Sequence, residues 1–197
     1  MGLEDKRLLI VVEKADYRPH LSKIFMPDRL APELSGRVSP QDLHILTAAS
    51  DWSTQLQEVA IFSCRSAQSY SHMPYLNIRL MGSGLGWHSD GQTSNSDSRA
   101  LVRLVADFCP THLVMCTSSP AILRWAVRNK IATVVLLSEW QEPLGFWQRL
   151  RHERLIRDLN HQSVDWVGSH GVQASKILAA SGIDAHTLIP WEWPRPQ

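Results

Sequence analysis

The residues best suited to chemistry stand just beyond apolar runs that read as strands. Glu139 and Trp140 follow the run Ala132–Leu137, with Glu142 close behind. A carboxylate there could bind an acceptor hydroxyl or act as a base, and Trp140 could stack on the apolar face of a ligand. A solvent-exposed turn before Pro143 accounts for the same residues. Ser118-Ser119 and Ser169-His170 each sit between a strand-like run and a helix-like stretch. Backbone N–H groups and the helix dipole at such places hold phosphates or hydroxyls, though plain capping asks for the same side chains.

Other local patterns carry less chemistry. Gly82-Ser83-Gly84-Leu85-Gly86 has the spacing G-x-G-x-G, and a polar stretch follows it in place of a helix. A dinucleotide loop needs G-x-G-x-x-G opening a helix, so residues 82–97 read as a polar loop. His88 and Asp90 lie within it. The nine histidines are scattered, and neither H-E-x-x-H nor a comparable metal spacing occurs. There is no G-x-S-x-G elbow and no cysteine–histidine nucleophile pattern. Neither a metal nor a cofactor is expected.

Composition bounds the rest. A chain of 197 residues with 44% hydrophobic and 20% charged residues can bury one core. A formal net charge of +1 lacks the basic footprint of a nucleic-acid binder. Cys64, Cys109 and Cys116 read as reduced thiols of a cytoplasmic protein. No apolar stretch reaches the length of a membrane span. Arg149, Arg151, Arg154 and Arg157 line one predicted helix. They make a solvated face, or a peripheral contact with anionic lipid.

The elements that must position these residues follow from periodicity. Leu8–Val12 is a buried strand of parallel-sheet type. Leu43–Ala48 reads as a second strand, with Asp51 capping a helix through Trp52, Leu56 and Val59. Ala60–Ser63 and Leu76–Leu80 are strand-like. Residues 98–108 have helical spacing, closed by Pro110. A strand over 112–117 leads to a helix from Pro120 to about Asn129, started by Ser119 and Pro120. The strand over 132–137 is followed by a helix from about Gly145 to Asn160, then a strand over 164–168. Ser169 caps a helix that Gly182 closes, and a last strand, 186–189, is halted by Pro190. Such alternation predicts an α/β, Rossmann-like, doubly wound, mainly parallel sheet with helices on both faces. Its ligands would meet the loops after Val12, Thr117, Leu137 and Gly168.

The second half resembles a family. Phe108-Cys109-Pro110-Thr111-His112-Leu113-Val114, Ile131 through Glu139, His152-Glu153-Arg154-Leu155, Val164-Asp165-Trp166-Val167-Gly168-Ser169 and Gly182-Ile183 to Pro190 follow one another in a familiar order. That order resembles the N-terminal, acceptor-side domain of GT-B-fold glycosyltransferases, of the retaining group 1/family 4 type. The resemblance covers somewhat under half the chain. It departs from the family at Glu13-Lys14-Ala15-Asp16-Tyr17, where a glycine-rich loop is usual, at Ser138-Glu139, and at Pro190-Trp191-Glu192.

The resemblance implies residues 1–189 as one domain and 190–197 as a hinge or tail rich in proline and tryptophan. It implies a nucleotide-sugar donor held by a C-terminal domain outside this sequence, a hydroxyl acceptor (glycan or lipid-linked), and a role in polysaccharide biosynthesis. The acceptor contacts would come from Lys14, Asp16, Ser118, Ser119, Ser138, Trp140, Ser169 and His170, with Glu139 the catalytic candidate. Alone, this half would be inactive. Two other readings remain open: a standalone flavodoxin-like binding or regulatory domain, and a lobe of a sugar-nucleotide epimerase.

Overall fold

A computed structural model of the chain describes residues 2, 5–13, 18, 40–75, 77–85, 95–117, 119–137, 140 and 145–191. Its strands are β1 (Arg7–Val12), β2 (Glu58–Ser63), β3 (Ser69–Tyr75), β4 (Ile78–Ser83), β5 (His112–Met115), β6 (Ala132–Leu137), β7 (Val164–His170) and β8 (Leu188–Trp191). Its helices are α1 (Pro40–Ser53), α2 (Asn95–Phe108), α3 (Pro120–Arg128), α4 (Phe146–Leu159) and α5 (Gly171–Ala180). The strands form one sheet in the order β3-β4-β2-β1-β5-β6-β7-β8. Among the described strands, only β3 runs antiparallel to its neighbour. This is a Rossmann-like α/β sheet with helices on both faces.

The parity of the strands sorts the core into two layers. Leu9, Val11, Phe62, Leu113, Met115 and Val135 point to one face, under Leu101 and Val105 of α2, Ile122 and Leu123 of α3, Leu159 of α4 and Leu178 of α5. Leu8, Ile10, Val59, Ile61, Ile78 and Leu80 point to the other, under Ile45, Leu46 and Ala49 of α1. Right-handed crossovers dictate this split: travel from β1 toward β2 puts its helix on one face, and travel from β5 toward β8 puts helices on the opposite one.

Two expectations fail in the first half. Leu43–Ala48 is not a strand but part of α1, and Asp51 stands in the last turn of that helix instead of capping another. Val59 is in β2. The apolar run is compatible with either period, and packing of Ile45, Leu46 and Ala49 onto the sheet favours the helix. The chain also does not pass from β2 directly to β4. It first crosses the end of β4 through residues 64–68, descends as the edge strand β3, and returns as β4 between the two.

Gly82 permits that crossing. A Cβ there would lie 2.3 Å from a Tyr70 ring carbon and 2.5 Å from Ser66 Oγ. Gly84 has φ 73°, and its N–H donates to Ser66 Oγ at 3.2 Å. Ser83 Oγ donates to the Cys64 carbonyl at 2.6 Å and accepts the Leu85 N–H at 3.2 Å. The Gly84 and Leu85 donors are thus turned inward to the fold, away from any phosphate. Gly82 and Ser83 belong to β4, while His88 and Asp90 lie outside the described residues.

In the second half the boundaries agree to within a residue or two, with three exceptions. The helix expected from residue 98 begins at Asn95. His170, not Ser169, occupies the N-cap position of α5, because β7 extends through His170. Pro190 lies inside β8 and does not halt it. The Thr187 carbonyl accepts the Val167 N–H at 2.9 Å. By alternation, Pro190 therefore turns its donorless nitrogen to the open side of this edge strand, where proline is tolerated.

Candidate functional site

In a doubly wound sheet the natural crevice lies beyond the strand carboxyl ends where the winding direction reverses, here between β1 and β5. At that rim the Glu13 carboxylate pairs with Arg65 NH1 at 3.3 Å, and the Glu13 carbonyl accepts the Arg65 N–H at 3.0 Å. The β2–β3 crossing therefore brings a guanidinium to the end of β1. Across the switch point, Ser119 occupies the N-cap position of α3 with Pro120 following. Its hydroxyl makes no cap hydrogen bond, so the capping role expected of it is carried by backbone alone: the Ser119 carbonyl accepts the Leu123 N–H at 3.1 Å.

The other described candidates are spread along the rim and do not converge. Trp140 is half-buried against the core; its Nε1–H donates to Ser181 Oγ at 3.1 Å, and its ring meets the His152 ring at 4.5 Å. Those contacts tie Trp140 to the turn after α5 and to α4. Ser169 is buried and shares a 2.8 Å hydrogen bond with Ser175 Oγ of α5. His170 is exposed, and its ring lies 5.3 Å from that of Trp191, at the neighbouring end of β8. Lys14, Asp16, Ser118, Ser138 and Glu139 lie outside the described residues.

A groove opens below this rim on the α1 side of the sheet. Its volume is about 350 Å³, the lower end of the range typical of small-molecule sites. Ile10, Val114, Cys116 and Leu136 form its floor, Trp191 one end, and the Ile45, Ala48 and Trp52 side chains of α1 a wall. His44, Thr47 and Asp51 come from the same side of α1, being three and seven residues apart, and add polar groups to that wall. Gly168 lets the floor close up: a Cβ there would lie 2.7 Å from Leu136 Cδ2 and 3.5 Å from Trp191 Cβ.

The groove exists because this half of the sheet is unevenly covered. On the α2–α5 face, Leu113, Met115, Thr133, Val135 and Val167 are buried. On the other face Val114, Val134, Leu136 and Ile189 are only half-buried, and Trp166 is 46% exposed. Among the described residues α1 is the one helix on that face, and it packs over β1, β2 and β4.

This arrangement suits binding more than covalent catalysis. Burial pushes the Cys116 thiol up to about 12, and burial foremost does the same to Cys64, with Arg65 opposing weakly. Cys116 is half-buried at the groove floor. A neutral thiol there is a poor nucleophile. Among the described residues no three His, Cys, Asp or Glu side chains gather as a metal site would need. None of their helices is long and apolar enough to cross a membrane.

Sequence reasoning passed over His44, Asp51 and Trp52 because it read their segment differently. One signal was present: Ser39-Pro40 repeats the Ser-Pro helix start seen at Ser119-Pro120.

No family model matches this chain, and no curated protein matches it in sequence. Solved structures do. The UDP-N-acetylglucosamine 2-epimerase from Rickettsia bellii superposes with a TM-score of 0.50 at 13% identity, over 94% of this chain and 44% of that one. The alpha,alpha-trehalose 6-phosphate synthase from Burkholderia multivorans superposes with a TM-score of 0.52 at 8% identity, over 90% of this chain and 43% of that one. At such identities the likeness is one of fold alone, that of the Rossmann-like α/β sheet. The chain spans less than half the length of either protein.

Proposed function

We propose that this chain is the N-terminal, acceptor-binding half of a glycosyltransferase that moves a sugar from a nucleotide-sugar donor to a hydroxyl acceptor. One observation carries the reading. The winding reversal between β1 and β5 sits above an apolar groove edged by His44, Asp51 and Trp191, in a fold shared with about half of each enzyme above. A sugar presents hydroxyls on an apolar ring, and a groove of aromatic and aliphatic side chains with a few polar groups recognises both. Residues 1–189 would be the acceptor lobe and 190–197 the connection to a donor lobe.

In this reading Glu13 and Ser119 flank the crevice at the switch point, while His170 and Trp191 bound it at the β7–β8 end. Glu139 is the candidate base for the acceptor hydroxyl. Lys14, Asp16, Ser118 and Ser138 are proposed to contact the acceptor, with Trp140 and Ser169 supporting the same rim. Donor positioning needs the second lobe, so this half alone would not turn over. The site would lie in the cytoplasm.

A lobe of a sugar-nucleotide epimerase is the second reading, favoured by the likeness to the Rickettsia bellii protein. One experiment separates the two. The chain, and the longest product of its gene, are incubated with a panel of UDP- and GDP-sugars, with and without hydroxyl acceptors. Nucleoside diphosphate release that requires both an acceptor and residues beyond Gln197 supports the transferase. A change of sugar configuration without any acceptor supports the epimerase. Turnover by the 197 residues alone contradicts the half-enzyme reading.

A further inference from the structure

The outer surface of α3 and α4 carries charge and aromatic rings that the proposed site does not use. With the turn at Lys130, these two helices bear seven cationic side chains (Arg124, Arg128, Lys130, Arg149, Arg151, Arg154 and Arg157) against two carboxylates, Glu153 and Asp158. The whole chain has a net charge of only +1, so the excess of five positive charges on these helices is offset by net negative charge elsewhere in the chain.

Four of those arginines converge. Arg124, Arg128, Arg154 and Arg157 line one cleft between the helices, with Val127 at its base. Asp158 pairs with Arg124 at 3.4 Å and leaves the other three without a carboxylate partner among the described residues. At the opposite end of α4, Phe146 and Trp147 are 67% and 74% exposed, held edge to face with ring centroids 5.5 Å apart. Spacing puts rings and charges on one side of the helix. Trp147 and Arg154 are seven residues apart, Phe146 and Arg157 eleven, and both separations return nearly to the same direction at 3.6 residues per turn. Leu155, Ile156 and Leu159 face inward to the core.

We propose that this face docks on an anionic phospholipid surface, with Phe146 and Trp147 entering the interface and the arginine cleft receiving lipid phosphates. Two rings exposed in water beside an arginine ridge match that surface on both counts. The interface takes amphipathic rings, and anionic headgroups attract guanidiniums. A sulfated polysaccharide in solution would use the arginines but has no call on the rings; a single-stranded polynucleotide could stack bases on them, and RNA binding separates that case.

The test uses the 197-residue chain and sedimentation with vesicles of phosphatidylcholine, with or without 30% phosphatidylserine. Partitioning is expected into the anionic vesicles and not the neutral ones, weakening as salt is raised. Arg154→Gln with Arg157→Gln should lower it about thirty-fold, near five-fold per charge. Phe146→Ser with Trp147→Ser should lower it about ten-fold. These side chains are exposed, so melting temperatures should hold. Arg128→Gln on α3 is the independent variant, with an expected loss of about five-fold. Equal partitioning into both vesicle types, no partitioning at low salt, or variants that bind like the parent would overturn the proposal. So would retention on RNA without vesicle binding, which would point to a polynucleotide partner. The vesicles hold neither donor nor acceptor, so this result and that of the transferase assay stand independently.

Discussion

Glu58 is the side chain whose loss the structure makes most quantifiable. It sits at the start of β2 with only 13% of its side chain exposed, and it joins three adjacent parallel strands. Its Oε2 accepts from Arg7 NH2 of β1 at 2.8 Å and its Oε1 from Arg79 Nε of β4 at 2.5 Å. Arg7 also lies 4.3 Å over the Phe108 ring of α2. Glu58→Gln keeps the shape and removes the charge, leaving two guanidiniums that are 27% and 32% exposed without their counter-ion. A fully exposed pair contributes about 0.2–1 kcal/mol, and breaking a buried one costs about 3–5 kcal/mol. Two pairs of intermediate exposure should cost about 2 kcal/mol together. Unfolding entropy of about 2 cal/mol/K per residue converts that to a drop in Tm of about 5 °C for a chain this long. Circular dichroism melts and urea titrations at matched salt measure it. A double-mutant cycle with Arg79→Met should return a coupling of about 1 kcal/mol. A loss below about 0.5 kcal/mol, or one that vanishes in 1 M salt, would refute the view that this carboxylate binds the strands together.

Three further outcomes are expected. Gly82→Ala should cost about 2 kcal/mol, because its methyl would displace the Tyr70 ring and Ser66 at the β2–β3 crossing. Gly145→Ala, which meets nothing within 4 Å, should be close to neutral, and equal urea midpoints for the two would sink the argument. Of the three thiols, exposed Cys109 should be the one that reacts promptly with a disulfide reagent at pH 8, since Cys64 and Cys116 stay protonated. Rapid titration of all three would contradict their burial. Burial foremost, then Lys6, lowers the His112 pKa below its ordinary 6.5. The unfolded chain then binds more protons as pH falls through 6.5, so this stability is whole above 6.5 and is lost on acidification. Melts from pH 7.5 to 5.5 should fall more steeply for the parent than for His112→Gln, and parallel curves would exclude the effect.

By itself, the sequence determined the class of fold and most of its second half. Runs such as Ala132–Leu137 and Val164–Gly168 alternate with helical stretches, and residues a few positions apart decide such periods. Ser119-Pro120 and Gly182 could mark boundaries because capping geometry is local too. Tertiary structure decided the rest. The run Leu43–Ala48 fits either period, and only its packing onto Ile61 and Leu80 makes it helix. Edge strand β3, largely polar, exists through pairing with β4. Strand order, the crossing at Gly82 and the uneven cover that leaves the groove join residues as distant as His44, Cys116 and Trp191. Periodicity specifies which side of an element is apolar, but not which element will cover it. That choice rests on long-range contacts, which determine where a rim of candidate residues becomes a cleft and where, as at Ser169 and Trp140, a candidate is drawn into the packing.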